Sequence, residues 1–441
     1  MTNIKKNIDS ILGNKGGGIS QYGMIIALIV IIIGFQIWTG GNTLAPGNVI
    51  NVFQQYSYIL ILAIGMVMVI VAGHIDLSVG SVAAFVGIIV AQAMAVWHWS
   101  WWAAIILGLV VGVLVGAWQG FWVAYVRVPA FIVTLAGQLI FRGANQAIGN
   151  STAVPVPDDF QNIGNGYISD FGPNTGFSNG TLLLGIVTIV AIVIFEFRAR
   201  NNRVKMGAQP APLWTSIVRI VVLGGVTAYA TILFASGRPN TSVPIVAIIL
   251  GVLVIIYGFV TNTTTFGRHL YAVGGNSNAA VLSGVNSRRV NFLVMLNMSV
   301  LAAVAGMVFV GYSGSSGPAD GTGWELDAIA AVFVGGAAVA GGVGTVVASI
   351  IGGLVLAFLA NGLSLKGIDT NLVQIIRGLV LLIAVAFDVY NKTQGRPSIT
   401  GYLTRGFGRK NKKDDGPTSG GLKGSGAQPQ SIDQDSQVLL P

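Results

Sequence analysis

The chain alternates between long apolar segments and shorter polar ones over most of its 441 residues. A helix that crosses the hydrocarbon core of a bilayer needs about 20 mostly apolar residues, and segments near this length recur along the sequence. The pattern predicts an all-α, polytopic integral membrane protein with about twelve transmembrane helices and at least one broken or re-entrant segment. The predicted spans are 22–38, 50–72, 79–97, 101–125, 129–147, 180–197, 213–235, 243–262, 290–311, 327–342, 345–362 and 371–389.

Three segments lack this apolar character. Residues 1–20 form a polar N-terminal tail, residues 148–179 an acidic loop, and residues 393–441 a second tail that is expected to be largely disordered. Residues 21–392 are predicted as one transmembrane domain. Lysines precede the first span, as in a signal peptide, but its apolar run is longer than a usual signal core and no A-x-A site follows, so we expect a retained anchor.

Composition indicates that lipid is the main solvent of the chain. Hydrophobic residues make up 53% of the sequence and charged residues 9%, with a mean hydropathy of +0.74, whereas soluble domains carry about 25% charged residues. The absence of cysteine excludes disulfides, thiolate metal sites and cysteine nucleophiles. The three histidines are scattered without ligand spacing, so we expect neither a metal site nor a catalytic residue.

The basic residues lie in the polar loops and predict an orientation. With the N-terminus inside, the cytoplasmic side receives Arg127, Arg198, Arg200, Arg203, Lys205, Arg268, Arg288, Arg289 and the basic C-terminal tail. The opposite side receives Asp158, Asp159, Asp170, Asp320 and Glu325, with Arg238 and Lys366 as basic exceptions. The sequence therefore predicts a multi-pass protein of the plasma (inner) membrane with both termini cytoplasmic. Because the net charge of +9 is distributed in this way, it does not indicate nucleic-acid binding.

The segment GHIDLSVGS, Gly73 to Ser81, places an aspartate between two apolar runs. An aspartate at the centre of a membrane helix costs about 2.5–3.5 kcal/mol on insertion scales. One interpretation is a break in a spanning segment, bracketed by Gly73 and Gly80, in which Asp76 and Ser78 cap the half-helix that follows. The alternative is a plain cytoplasmic turn with Asp76 as an ordinary N-cap.

A second glycine-rich segment, FVGGAAVAGGVGTVVASIIGG, interrupts the apolar pattern from Phe333 to Gly353. A phosphate-binding loop of the GxxxxGK[ST] type is excluded, because no Gly-Lys pair occurs in the chain. Tight helix packing or a re-entrant bend is the favoured interpretation. The chain is therefore expected to bind no nucleotide or other cofactor.

The loop FGRHLYAVGGNSNAAVLSGVNSRRVNF, Phe266 to Phe292, is basic and contains a short helix-like piece. It is either a connecting loop held to the membrane surface by charge, or a docking element whose small residues Ala279 and Ala280 and apolar Leu282 fit a partner's groove. For the second case, Ala280→Arg is predicted to weaken binding of that partner while the protein stays in the membrane.

Several motifs resemble those of ABC importer permeases of the ribose and xylose type, most closely the xylose-type members. Asn278-Ala279-Ala280-x-x-x-Gly284 is similar to their EAA-x-x-x-G coupling motif, with Asn for Glu, and GHIDLSVGS is similar to GGIDLSVGS. Thr134 to Gly143 matches TLxGxxIFRG, Gly335 to Gly344 matches GGTSLxGGxG with AAV for TSL, and the segment from Asn361 to Lys392 resembles xylose-type sequences. The resemblance covers residues 48–147 and 243–392.

The resemblance implies the transmembrane subunit of an ATP-driven importer of a monosaccharide, xylose or a related pentose. Implied partners are a cytoplasmic ABC ATPase that uses the ATP, an extracytoplasmic sugar-binding protein, a second copy of the permease, and the lipid bilayer. Residues 263–291 are implied as the coupling loop to the ATPase. Its implied coupling residues are Gly274, Gly275, Asn276, Asn278, Ala279, Ala280, Leu282, Ser283 and Gly284.

A path for a neutral sugar needs hydroxyl, amide and small-residue surfaces. The candidates for its lining are Asp76, Ser78, Thr134, Gln138, Arg142 and Asn145. Arg142 is costly in a membrane unless it faces a cavity or a carboxylate, and Asp76 is one possible partner. Interhelical hydrogen bonding is the alternative role for Thr134 and Gln138, and Arg377 is open to a similar structural role.

Two other classes of protein stay open on the sequence alone. An ion- or proton-coupled sugar porter needs no ATPase, but intramembrane carboxylates are sparse here. An integral-membrane glycosyltransferase needs clustered acidic or histidine residues at the membrane surface, and the pair Asp158-Asp159 is the one candidate for such a site.

Overall fold

The computed structural model describes residues 18–173, 176–205, 207, 212–236 and 242–393. The tails predicted at 1–20 and 393–441 lie outside these residues, except for residues 18–20 and 393, which belong to helices. The basic residues assigned to the C-terminal tail therefore lie almost wholly outside the described part of the chain, as does Arg238.

Helices account for nearly all regular structure in the described residues. The helices of the first half are α1 (Gly18–Trp38), α2 (Pro46–Val71), α3 (Val79–Ala95), α4 (Trp101–Phe121, continued by a π-helical turn Trp122–Val126), α5 (Ala130–Ile148), α6 (Asp158–Asn165) and α7 (Asn179–Lys205). Those of the second half are α8 (Leu213–Ala235), α9 (Ile245–Thr263), α10 (Thr265–Gly275), α11 (Ser277–Leu282), α12 (Ser287–Ser313), α13 (Trp324–Val334), α14 (Val346–Leu365) and α15 (Thr370–Thr393). Two short strands, β1 (Val154–Pro155) and β2 (Ser315–Ser316), pair antiparallel.

Seven of the described helices are long and apolar enough to cross a membrane. They are α2, α4 with its π-helical turn, α7, α8, α9, α12 and α14, and shorter apolar helices occur at Gly23–Trp38, Val79–Ala95 and Thr370–Ile383. The prediction of an all-α polytopic membrane protein is confirmed.

The span predicted at 327–342 is wrong in extent. Helix α13 ends at Val334, and residues 335–345 follow as turns in which Gly336, Gly341 and Gly342 have φ values of 82°, 82° and 73°. These left-handed values suit glycine and end a helix. The apolar composition of the segment does not distinguish a spanning helix from a glycine-rich turn that the protein itself surrounds.

Helix α12 is the central element of the bundle, and it packs against α2, α3 and α4. The contact with α4 depends on glycines: a Cβ at Gly112 would lie 2.7 Å from the Ala303 Cβ, and one at Gly116 would lie 2.6 Å from the Leu296 Cα. Small residues let helix backbones approach closely where no hydrophobic force between helices acts. Helices α7 and α8, by contrast, pack mainly on each other and leave most of their apolar surface exposed.

The two ends of α12 define the two ends of the molecule. Its last residues contact the segment 149–178, where Asn165 Nδ2 donates to Tyr312 O at 2.7 Å and β1 pairs with β2; we call this the cap end. Its first residues follow α10 and α11, which define the loop end. Asp158 and Asp159 lie exposed in the first turn of α6, where a helix dipole favours acidic residues.

Candidate functional site

The segment that joins α2 to α3 reaches the middle of the bundle. Ser78 Oγ accepts a hydrogen bond from Gln119 Nε2 at 2.7 Å, and Gln119 Oε1 accepts one from the Ser299 hydroxyl at 3.4 Å. Ser299 lies 12 residues after the first residue of α12 and 14 before its last, or about 18 and 21 Å along the axis. Because Asp76 and Ser78 are buried, the predicted break in a membrane segment is the favoured interpretation over a plain turn at the membrane surface.

The hydrogen bonds of the Asp76 side chain differ from the predicted ones. Its Oδ1 accepts hydrogen bonds from the Ser78 backbone N–H at 2.8 Å and the Ser78 hydroxyl at 2.6 Å, and no side chain caps α3. The predicted capping by Asp76 and Ser78 is wrong, because the carboxylate bonds to the N–H two residues ahead, in a turn that precedes the helix. Gly73 has the φ of 82° expected at a break, whereas Gly80 lies within α3.

A second short helix, α13, begins at the same height and faces α3. Gly80, in the first turn of α3, packs so closely on Gly321 that a Cβ there would overlap the Gly321 carbonyl oxygen. The same Cβ would lie 2.7 Å from Oε2 of Glu325, which lies in the first turn of α13 and is 6% exposed. The amino ends of two helices therefore meet inside the protein, and their dipoles favour the negative charge of Glu325.

One face of α5 carries polar side chains from the height of the break to the cap end. They recur every three or four residues, which places them on one side of a helix. This α5 stripe consists of Thr134, Gln138, Arg142 and Asn145. All four were predicted as pathway residues, and the structure brings them together along the α2–α3 break and the 314–325 segment.

The two stripe residues nearest the break bond to neighbouring elements. The Thr134 hydroxyl donates to the Ile75 carbonyl oxygen at 3.4 Å, and Gln138 Nε2 donates to Glu325 Oε1 at 3.0 Å. The interhelical hydrogen bond proposed as the alternative role is therefore present for Gln138, whereas Thr134 bonds to the non-helical segment between α2 and α3. In this conformation these side chains of the α5 stripe are hydrogen-bonded to other parts of the chain.

The other two stripe residues bond to the segment that follows β2. Arg142 donates to the Thr322 hydroxyl, and Asn145 Nδ2 donates to the Gly317 carbonyl oxygen at 3.3 Å. The suggested pairing of Arg142 with Asp76 is wrong. Arg142 lies two helical turns beyond the residue of α5 that contacts the break, a separation of about 12 Å along the axis.

Four buried polar atoms beside the stripe have no hydrogen-bond partner within the described residues. They are Asp76 Oδ2, Glu325 Oε2, Asn145 Oδ1 and Ser316 Oγ. A buried polar group without a partner costs about 1–3 kcal/mol, so such groups in proteins are normally satisfied by water or a ligand. Three acceptor oxygens and one hydroxyl suit the hydroxyl groups of a polyol.

We predict that Gln138→Leu raises the KM for uptake of the transported substrate about tenfold, because it removes an amide from the stripe and leaves Glu325 without its partner. Gln146→Leu is the matched control, since Gln146 lies on the same helix with an exposed side chain. Uptake kinetics and melting temperature are measured for both variants. A fall in melting temperature with unchanged KM would assign Gln138 to helix packing alone.

At the loop end, α11 projects from the bundle as a short exposed helix. Asn276 caps it through its Oδ1, which accepts from the Ala279 N–H at 3.0 Å. Leu282 is 89% exposed, and Ala279 is also exposed. Ala280, however, is 5% exposed and packs into the core. The expectation that Ala280 forms part of the docking surface is wrong, and an arginine there would disturb the packing of the hairpin itself.

Helix α10 connects this projecting helix to the middle of the bundle. A Cβ at Gly274 would overlap the Val71 carbonyl oxygen and lie 2.9 Å from the Gly342 N. Gly342 in turn donates its N–H to Val71 O at 2.8 Å. A Cβ at Gly341 would lie 3.0 Å from the Gly274 carbonyl oxygen and 3.2 Å from the Gly73 Cα. The end of α10, the end of α2 and the turn after α13 thus meet in one backbone contact, which we call the glycine junction (Val71, Gly73, Gly274, Gly341, Gly342).

A tyrosine ties α10 to the same turn. The Tyr271 hydroxyl donates to the Gly344 carbonyl oxygen at 2.6 Å. Burial raises the pKa of Tyr271 above its ordinary value, so the phenol keeps the proton it donates. The coupling residues Gly274 and Gly275 are therefore attached to the turn that follows α13.

The sequence alone did not reveal several residues of the site. Glu325 is predicted in an outer loop, yet it is buried beside α3. Its position after Gly323 and directly before an apolar run was the feature of the sequence that could have indicated the first turn of a buried helix. Gln119 is a single polar residue in an apolar helix, and Ser299 is one of a few in α12. Isolated polar residues of this kind give no indication of their partners. Arg377 has the structural role suggested for it, because it pairs with Asp327 at 3.3 Å.

The fold and the site together define a class: a polytopic helical membrane protein with two half-helices at its centre and a projecting hairpin at one end. Comparison with known families matches residues 48–385 to the branched-chain amino acid transport system permease components. The chain belongs to this family. No solved structure matches the chain.

Relatives align with nearly their whole length. The xylose transport system permease protein XylH of Haemophilus influenzae is 37% identical over 379 residues, 86% of this chain and 98% of the relative. XylH of Escherichia coli K12 is 37% identical over 381 residues, 86% of this chain and 94% of the relative. The ribose import permease protein RbsC of the same organism is 33% identical over 370 residues, 84% of this chain and 93% of the relative.

The resemblance to ribose- and xylose-type permeases is confirmed. The chain is a transport permease component and not itself an enzyme, and nothing in the comparisons favours a porter or a glycosyltransferase.

Proposed function

We propose that the chain is the transmembrane subunit of an ATP-driven importer that carries xylose or a related pentose into the cytoplasm. The support for the sugar is the similarity to proteins named as xylose and ribose permeases. The observation that supports coupling to a separate ATPase subunit is the glycine junction. It joins the exposed helix α11 to the centre of the bundle through direct backbone contacts.

The coupling step follows from these contacts. The ATPase binds α11, and its closure displaces α10 together with Gly274 and Tyr271. That displacement acts on the carboxyl end of α2 and on the turn after α13, which adjoin the two half-helices. The half-helices then move apart from the α5 stripe, and the stripe becomes accessible to the sugar.

The proposed path offers a sugar hydrogen-bonding groups, both neutral and ionisable. Asp76, Ser78, Thr134, Gln138, Arg142 and Asn145 remain its proposed lining, to which Glu325 is added. Oxygen atoms without partners accept from sugar hydroxyls, while Gln138 and Asn145 donate to sugar oxygens after they leave their present acceptors. Such exchange keeps the number of hydrogen bonds nearly constant as the sugar passes.

The proposed assembly holds two copies of this chain, two ATPase subunits and an external sugar-binding protein, with ATP bound only by the ATPase and no nucleic acid or cofactor bound by this chain. Exposed apolar side chains on α5, including Phe131, Leu135 and Leu139, supply a surface for a second copy or for lipid. The positive-inside rule supports a cytoplasmic position for the loop end and for both termini.

Reconstitution tests the proposal. The full chain is placed in liposomes with a candidate ABC ATPase and a candidate sugar-binding protein from the same organism, and uptake of labelled xylose is measured. We expect accumulation that requires ATP and both partners. Uptake by the chain alone, driven by a proton or sodium gradient, would overturn the proposal and indicate a secondary porter.

A further inference from the structure

A cavity of about 500 Å³ lies at the loop end, separate from the polar atoms of the α5 stripe. One wall is the start of the α2–α3 break, Gly73–Ile75. The second is the end of the π-helical turn and the start of α5, residues 123–131. The third is the first turn of α12, including Ser287, Arg288 and Asn291. The cavity adjoins the proposed transport path, because it shares Ile75 and the start of α5 with it, but none of the proposed path residues lines it.

The cavity has a strong positive charge. Arg127 and Arg288 reach it from two different elements, and no acidic residue lines it. Neither arginine forms an ion pair with any residue that the structure describes. Both arginines are exposed to solvent, so water and salt screen their mutual repulsion, and an anion in the cavity would be attracted by both charges.

Two further lining groups contribute buried polar atoms. His74 Nε2 and Asn291 Oδ1 form no hydrogen bond of good geometry within the described residues, although the two side chains lie close enough to interact with each other. The His74 ring donates or accepts at Nε2, and the Asn291 amide donates after a flip of its terminal group. With the two arginines they form a donor set from three walls of one cavity, which suits the several oxygens of a phosphate group.

The surroundings indicate the source of the phosphate. Tyr125, Phe131 and Ile132 are exposed next to the cavity, and they lie where the π-helical turn after α4 ends and where α5 begins. Apolar and aromatic side chains of this kind face lipid near the membrane boundary, so acyl chains have a surface beside the cavity. Basic pockets between membrane helices on the cytoplasmic side are suited to anionic lipid head groups.

We propose that this cavity binds the phosphate ester of an anionic phospholipid from the inner leaflet, through Arg127 and Arg288, with His74 and Asn291 as further hydrogen-bonding groups. A neutral sugar would leave both guanidinium charges uncompensated. The proposal does not rest on the transport function, since it needs only the cavity and the adjoining membrane.

The test uses the full chain in nanodiscs of phosphatidylcholine with a titrated fraction of phosphatidylglycerol, and native mass spectrometry counts the bound phosphatidylglycerol. The double variant Arg127→Gln/Arg288→Gln is expected to weaken this binding about tenfold or more, because it removes two charge-assisted contacts. Arg289→Gln is the matched control: Arg289 follows Arg288 in α12 but does not line the cavity, and it is expected to keep the wild-type affinity within about twofold.

A second arm separates lipid from soluble phosphate. Glycerol 3-phosphate is titrated onto the same protein in pure phosphatidylcholine discs, and melting temperatures confirm that all variants are folded. Arginine-dependent binding of phosphatidylglycerol alone supports the proposal. Arginine-dependent binding of glycerol 3-phosphate alone would overturn the lipid source, and equal loss in Arg289→Gln, or no dependence on Arg127 and Arg288 in either arm, would overturn the site.

Discussion

Gly274→Ala is expected to abolish sugar transport, whereas Gly275→Ala is expected to leave it close to wild type. Both residues lie in the last turn of α10. A Cβ at Gly274 would overlap the Val71 carbonyl oxygen, while a Cβ at Gly275 has no atom within 4 Å. Backbone atoms cannot rotate away as a side chain does, so α10 must shift from the end of α2, at a cost of about 1–3 kcal/mol or more.

The measurement is ATP-driven uptake together with basal ATPase activity of the reconstituted complex. We expect Gly274→Ala to retain ATPase binding through α11 but to lose the link between hydrolysis and uptake, because the glycine junction is opened. Membrane expression and melting temperature show whether the variant folds. Wild-type uptake by Gly274→Ala, in a folded protein, would show that the junction does not transmit the motion.

The helices of the bundle could be predicted from the sequence wherever contact with lipid alone requires the helix to be apolar. The spans at 101–125 and 213–235 agree with α4 and α8 within a few residues, since a helix exposed to hydrocarbon must be apolar over its whole length. The segment 327–342 has the same composition but is enclosed by protein, so this requirement does not apply to it, and its glycines decide the backbone instead.

The position of the candidate site could be predicted partly from the free-energy cost of an aspartate between apolar runs and partly from the helical spacing of polar residues. An aspartate between two apolar runs indicated a break at Asp76, and the spacing of Thr134, Gln138, Arg142 and Asn145 indicated one face of α5. Their partners did not follow, because they come from the distant segment 317–325. The burial of Ala280 could not be predicted either, because it depends on contacts between α11 and the core. The motif Asn278-Ala279-Ala280-x-x-x-Gly284 gives no indication of those contacts.

Leu282→Arg is expected to weaken binding of the ATPase by about tenfold or more, with a similar loss of coupled uptake. Leu282 is 89% exposed at the end of α11, and burial of a leucine at an interface contributes about 1.5–3 kcal/mol, which corresponds to roughly tenfold to a hundredfold in affinity. The arginine adds a charge that must be desolvated in an apolar groove. Leu282→Ala is expected to show a smaller loss of the same kind.

Two controls separate this effect from others. Asn262→Arg adds the same charge at an exposed position just before α10 and is expected to bind the ATPase normally. Ala280→Arg is expected to lower the melting temperature of the permease itself, because Ala280 packs in the core, so its loss of ATPase binding would not report on docking. Co-purification of the ATPase with Leu282→Arg at the wild-type level would remove α11 from the coupling surface, and the route from the ATPase to the α2–α3 break would then have to begin at a different element of the loop end.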